Sequence, residues 1–302
     1  MDIYNSVYVK IHIYPTCRNP LMKYSGNTQK MQTRLNDSSN DTVQYHLPIG
    51  DNLVDMNALI GSEIQLEFDG EINCIACGRK TKKSFNQGYC FPCLQSLAQC
   101  DSCIIKPEKC HYSEGTCREP QWGEQFCLQD HYVYLANSSG LKVGITRGTR
   151  IPTRWMDQGA TQALPIFRVK NRLTSGLVEV IFKNHVADKT SWQKMLKGEA
   201  DKADMHARRD ELYALSESAL SELAVTLDND AIVYLENESV VNINFPVNQY
   251  PQKVKSLNFD KTPVVSGVLN GIKGQYLILD SGVLNIRKFG GYQLSLESNP
   301  GK

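Results

Sequence analysis

Short apolar runs separated by turn-forming clusters dominate both ends of the chain, and helix-period patterns fall between them. Residues 7–13 alternate, 31–35 and 43–47 are further strand candidates, and 36–41 read as a polar loop. Residues 64–68 alternate strictly before Asp69-Gly70, a dipeptide that suits a turn. Strand patterning returns at 232–235, 240–245, 264–269, 275–279 and 293–296, with glycines between as turns or bulges. Between these blocks, 188–227 reads as helical. There Leu212, Leu215, Ala219, Leu220 and Leu223 recur at helical spacing, a stripe better suited to packing than to a partner.

The stretch 132–179 has a more particular order. Two apolar runs, 132–136 and 141–146, are joined by Asn137-Ser138-Ser139-Gly140, which predicts a β-hairpin. Pro152 suits a helix start and Gly159 its stop, which puts Arg154, Trp155 and Gln158 on a short helix. Residues 164–169 predict a third strand. Ser175 can cap a following helix made apolar by Leu177, Val178, Ile181, Phe182 and Val186. Within it Glu179 is the one acid between Asp157 and Asp188, and a carboxylate among such neighbours calls for a reason. The elements together predict a mixed α+β protein.

A chain of 302 residues allows two or three domains. No run approaches the ~18 apolar residues of a membrane span, and the first residues carry charges throughout, so neither signal peptide nor anchor is expected. The net charge of +1 conceals an asymmetry: residues 74–198 hold 18 Lys/Arg against 9 Asp/Glu, and the rest of the chain holds 15 against 23. A basic middle between acidic flanks suits a polyanion, although lysine-rich zinc segments also arise for solubility alone.

Nine of the ten cysteines lie between Cys74 and Cys127, several in C-x-x-C pairs, which reads as metal binding in a reducing, cytoplasmic setting. Cys74-x2-Cys77 and Cys90-x2-Cys93, twelve residues apart, make a zinc ribbon-like pair of knuckles that closes a tetrahedral four-sulfur site. Such a closed site has a structural role. Arg79, Lys80, Lys82 and Lys83, with Phe85 and Tyr89, give the intervening loop groups that contact phosphates and stack on a base. Downstream, Cys100, Cys103, Cys110, Cys117, Cys127, His111 and His131 offer seven ligands where four would suffice for a second zinc. Cys100 and Cys103 are favoured as one knuckle, with the other pair drawn from Cys110, Cys117 and Cys127; an iron-sulfur cluster is the competing occupant. His12, His46 and Cys17 stand apart and read as structural.

The order of hairpin, Arg-bearing helix, strand and Glu-bearing helix resembles the GIY-YIG nuclease superfamily. Tyr132-Val133-Tyr134 matches the first signature strand, Lys142-Val143-Gly144-Ile145-Thr146 the second, Arg154-Trp155 the following helix, and Glu179 the later one. The resemblance implies Tyr134 as signature tyrosine, Gly144 as signature glycine, Arg154 as catalytic arginine on the scissile phosphate, and Glu179 as ligand of a catalytic magnesium. The second signature tyrosine falls at Lys142 or Val143, so its contribution is absent or supplied by Tyr132. Lys142, Gly144, Thr146, Arg147, Arg150 and Gln158 become the candidate substrate contacts. The whole chain also resembles a family of uncharacterised bacterial proteins in which a cysteine-rich segment precedes this core.

The expectation is then an endonuclease acting on nucleic acid, DNA before RNA, with two structural zincs and no membrane association. The competing readings are a zinc-containing nucleic-acid binder that does not cut, and an iron-sulfur redox or sensing protein. The expected organisation is a β-rich part over 1–73, cysteine modules over 74–131, the nuclease-like core over 132–198, a helical connector over 199–230, and a β-rich part over 231–302 that pairs with the first.

Overall fold

The computed structural model describes residues 22–35, 42–186 and 191–299. The strand expected over 7–13, the loop over 36–41, and His12 and Cys17 fall outside them. The described chain is mixed α+β. It opens with β1 (Met22–Asn27), β2 (Gln32–Arg34), β3 (Gln44–Ile49), β4 (Asn52–Asp55) and β5 (Glu63–Ile72). A cysteine-rich stretch follows with two short helices, α1 (Phe91–Ser96) and α2 (Pro120–Phe126). Next come the hairpin β6 (His131–Asn137) and β7 (Leu141–Arg147), helix α3 (Thr153–Asp157), β8 (Gln162–Val169) and helix α4 (Arg172–Lys183). Helices α5 (Trp192–Leu196) and α6 (Met205–Val225) lead to β9 (Ile232–Tyr234) and β10 (Val241–Asn242). The chain closes on β11 (Val264–Lys273), β12 (Tyr276–Leu279), β13 (Gly282–Asn285) and β14 (Tyr292–Asn299).

Early and late strands interleave in one antiparallel sheet of order β1-β14-β5-β11-β12-β13. Leu66 of β5 lies opposite Leu296 of β14 on one side and Val265 of β11 on the other. The alternation read over 64–68 follows from this: Ile64 and Leu66 are buried and Glu67 is exposed. Asp69-Gly70 does not turn the chain. β5 continues to Ile72 through a bulge in which Gly70 takes a φ of +89° and Asp69 Oδ1 accepts the Glu71 N–H at 3.0 Å. β14 runs alongside past this point and pairs again at Ile72, so a turn-forming dipeptide became a bulge instead.

The second sheet has the order β10-β8-β6-β7, with β9 also on β8. Its central strand β6 is buried on both faces, because two cores meet on it. Tyr134 and Ala136 join Trp155 and Met156 in the core formed by the β-rich part, while Val133 and Leu135 pack with Val178 and Phe182 of α4 and Leu212 of α6. Helix α4 starts earlier than Ser175. Asn171 is its cap, with Oδ1 accepting the Thr174 N–H at 2.9 Å, and Ser175 instead bonds back to the Arg172 carbonyl at 2.7 Å inside the first turn.

Of the expected helical stretch 188–227, residues 188–190 lie outside the described residues, and the rest holds two helices separated by the non-helical residues 197–204. Asp204 caps α6 by accepting the Ala207 N–H at 3.0 Å, and Met205, Arg209, Leu212, Ser216 and Leu220 bury one face at three- and four-residue spacing. Among the described residues no helix is long and apolar enough to cross a membrane.

Candidate functional site

The first cysteine group forms where β5 ends. Cys74 and Cys77 sit on a tight turn in which the Gly78 N–H bonds the Cys74 carbonyl at 2.8 Å, and Cys90 and Cys93 occupy the start of α1. Their four sulfurs lie within 4.8 Å of one another. Burial opposes ionisation of Cys74, but the backbone N–H groups of Cys90, Cys77 and Ala76 outweigh it and bring the thiol down to about 6. Burial pushes Cys93 up to about 12, with its neighbouring thiols adding to the effect. Crowded thiolates supported by amide donors are the donor set of a closed, tetrahedral zinc site, and these residues fit such an ion.

The second group is differently composed from the one expected. Cys103 converges with Asp101 and His111. Cys100 belongs to neither group among the described residues. Two successive tight turns, 98–100 and 102–104, flank an extended Asp101 that lies between the two thiols. Cys100 instead meets the side chain of Asn86. Asp101 is already engaged by Arg118 Nε at 2.8 Å. Burial, then the charge of Asp101, push Cys103 up to about 11. Cys127 is raised by burial and feels both Cys110 and Cys117. His131 is fully buried; its Nδ1 lies 2.7 Å from the Gln129 carbonyl, its Nε2 has no hydrogen-bond partner among the described residues, and burial holds it down to about 4.

The other concentration of polar side chains is a cleft of about 650 Å³ beside the second sheet. Lys142, Gly144, Thr146 and Arg147 reach it from β7 and its end, Arg150 and Arg154 from the turn and helix that follow, and Gln158 from the end of α3. Helix α4 contributes Arg172, Glu179 and Lys183. Thus Arg154 and Glu179, carried on different helices, line one cavity. Tyr132 does not line it; its ring rests against Gly148, where an added Cβ would come within 3.0 Å.

Tyr134 sits beneath the cleft wall, fully buried, edge-on to Trp155 at 5.8 Å between ring centroids. Its ring crosses Gly144, its partner in register, so closely that a Cβ there would lie 2.7 Å from the hydroxyl. The amide of Gln158 bridges Tyr134 and Arg154. With its oxygen accepting from Arg154 Nε and one terminal nitrogen, each at 3.2 Å, its nitrogen donates to the Tyr134 hydroxyl at 3.0 Å. Burial pushes the phenol up, and the nearby Arg154 only partly offsets it.

Eight Lys and Arg side chains line the cleft against two acids. Asp157 is spent on Lys30, on Arg150 at 4.0 Å and on Gln275 at 2.9 Å. Glu179 pairs with Lys183 at 3.2 Å. No salt bridge among the described residues joins Arg147, Arg154, Arg172 or Arg287 to a carboxylate. Burial lowers the guanidinium pKa values of Arg147, Arg172 and Arg287; neighbouring arginines add to this, and the cysteine thiols near Arg147 and Arg172 and Asp157 near Arg287 partly offset it. Eight cations held this close against two acids favour an anion.

Lys30, Asn86, Gln87 and Arg287 enter from distant parts of the chain, and no local pattern announces them. Arg172 and Lys183 were within reach, since they stand seven before and four after Glu179 on one helical face.

Fold and site define a mixed α+β protein that combines a four-cysteine metal-type centre with a cation-lined cleft. The chain belongs to the family described as protein of unknown function DUF2797, which matches residues 61–294. Neither a curated protein nor a solved structure matches it.

Proposed function

We propose that this protein is a metal-dependent nuclease of GIY-YIG type, cleaving phosphodiesters in the cleft between β7, α3 and α4. The observation that carries the reading is the convergence of Arg154 and Glu179 on one cavity lined by eight cationic side chains. The sheet order β8-β6-β7, with the arginine helix and the glutamate helix following in sequence, supports it. Asp157 is held by Lys30, Arg150 and Gln275, whereas Glu179, beside Lys183, faces the same cavity as Arg154, so Glu179 is the acid assigned to a divalent ion; one carboxylate plus phosphate oxygens suits magnesium.

Such an ion would polarise the scissile phosphate and assist attack by water. Arg154 binds the same phosphate through its donor fork, where charge grows in the transition state. Gln158 orients that guanidinium, and Tyr134 holds Gln158, so Tyr134 positions the arginine from below. The raised phenol is poorly suited to deprotonate water near neutrality. Lys142, Arg147 and Arg150 bind flanking phosphates. Cys74, Cys77, Cys90 and Cys93 hold a structural zinc that fixes the loop carrying Asn86 and Gln87. The buried Tyr134 also favours a second reading, a binder that grips nucleic acid without cutting.

The test is cleavage of single-stranded, duplex and branched DNA and RNA with magnesium, comparing native protein with Glu179→Ala. Loss of cleavage with binding kept within a few fold supports the nuclease. No cleavage by native protein, with equal binding by both, leaves the binder, and no binding at all removes both readings.

A further inference from the structure

A smaller cavity of about 270 Å³ opens beside the basic cleft, and the two share Lys30, Asn86, Gln87, Ile104 and Arg287 in their walls. The two cavities therefore adjoin, and their chemistry differs. The cleft is cationic. The smaller cavity is walled by carboxamides, Gln29, Asn86, Gln87 and Gln99, with Tyr89 and the apolar Ile75 and Ile104 between them. Its volume is at the low end for small-molecule sites and suits a single ring system rather than a chain segment.

We propose, resting on the nucleic-acid reading above, that this smaller cavity receives one unpaired nucleobase whose phosphate lies in the basic cleft. Arg287 stands at the junction. Its Nε donates to Gln87 Oε1 at 2.5 Å, and the other nitrogens make no hydrogen bond or salt bridge among the described residues. They therefore remain for phosphate. The side chains of Gln29, Gln99 and Tyr89 likewise make no hydrogen bonds among the described residues. An amide presents both a donor and an acceptor, the pattern needed for a base edge, and the isoleucines and phenol supply surfaces for its faces. A base inside a duplex has its Watson–Crick edge paired and both faces stacked, and cannot enter a pocket, so the ligand is a nucleotide in a single strand, a bulge or a flipped-out position.

Asn86 and Gln87 adopt left-handed backbone conformations, with φ of +43° and +68°, next to the glycine that Ile75 covers. The turn from the zinc-type module thus places two consecutive amides in the shared walls. This connects the cysteine module to ligand selection rather than to stability alone.

The test is equilibrium binding by the full-length native protein, without added magnesium, to three DNA duplexes: fully paired, carrying one bulged nucleotide, and carrying the same bulge without its base. The expected result is about tenfold tighter binding of the base-bearing bulge than of the abasic one. The difference should disappear in Gln29→Ala/Gln99→Ala, with binding to the abasic bulge unchanged. Equal binding of base-bearing and abasic bulges by native protein overturns the base site and leaves the nucleic-acid reading intact. A base preference that survives the double substitution overturns this location. No binding to any duplex overturns both.

Discussion

Gly144→Ala separates the packing account of this site from a merely statistical view of its glycine. Gly144 lies in the middle of β7 and its φ is outside the left-handed region, so alanine is allowed there by the backbone. A strand glycine replaced by alanine ordinarily gains about 0.5–1 kcal/mol. Here the new Cβ would lie 2.7 Å from the Tyr134 hydroxyl, 2.8 Å from Cζ and 3.1 Å from Cε2. The ring cannot swing aside, because it is fully buried against Trp155. Overpacking of this kind costs about 1–3 kcal/mol, which for a chain of this size lowers Tm by roughly 1.5–2 °C per kcal/mol. The sign therefore reverses relative to the ordinary glycine effect. Thermal and urea unfolding of four proteins measures it: native, Gly144→Ala, Tyr134→Leu and the double variant. In the Tyr134→Leu background the obstructing atoms are gone, so adding Gly144→Ala should cost at least about 1 kcal/mol less than it does in native protein. An equal cost in both backgrounds, to within about 0.5 kcal/mol, refutes the contact.

Two further perturbations reach other parts of the molecule. Cys90→Ser removes one of four convergent sulfurs, and metal analysis of the purified protein should show loss of close to one zinc per chain with lower Tm; unchanged zinc content counts against the site. Lys273 is buried, lies about 5.5 Å from the centroid of Phe245 and 5.4 Å from that of Tyr250, and is held down to about 8 by burial. Between pH 8 and its ordinary 10.5 the unfolded chain binds the extra proton, so this residue's penalty is full below pH 8 and fades as pH rises to 10.5. The shift corresponds to about 3 kcal/mol at most, reduced by the two cation–π contacts. Lys273→Met should stabilise the protein at pH 7 and narrow its advantage by pH 10, as read by denaturant unfolding; an advantage constant with pH would contradict the assignment.

Local structure was readable wherever a pattern and its neighbours agreed. Asn137-Ser138-Ser139-Gly140 between two apolar runs became the β6–β7 hairpin, and the strict alternation around Leu66 became a half-buried strand. Where two residues of similar chemistry competed, sequence did not choose. Asn171 and Ser175 both suit a helix cap, and only the approach of the Thr174 N–H decides. Asp69-Gly70 failed for a tertiary reason, since β14 stays paired with β5 on both sides of it, at Phe68 and at Ile72. The same limit applies to the cleft. Arg154 and Glu179 stand in a recognisable order of elements, but Lys30 and Arg287 reach them only through pairing between strands at opposite ends of the described chain. In the cysteine-rich stretch, the C-x-x-C spacing at 100–103 says nothing of the extended Asp101 that parts its two thiols.

The interleaved sheet has a consequence for timing. Ile64 pairs with Ser298, so more than two hundred residues must be made before β5 gains its β14 neighbour. Contacts this distant in sequence form slowly, because a long loop closes before they are rewarded. The β6–β7 hairpin and α4 need no such wait. As the chain leaves the ribosome, Arg154 and Glu179 are available long before Arg287, which follows β13 and enters last. Closure of the outer sheet is therefore also the event that completes the cleft.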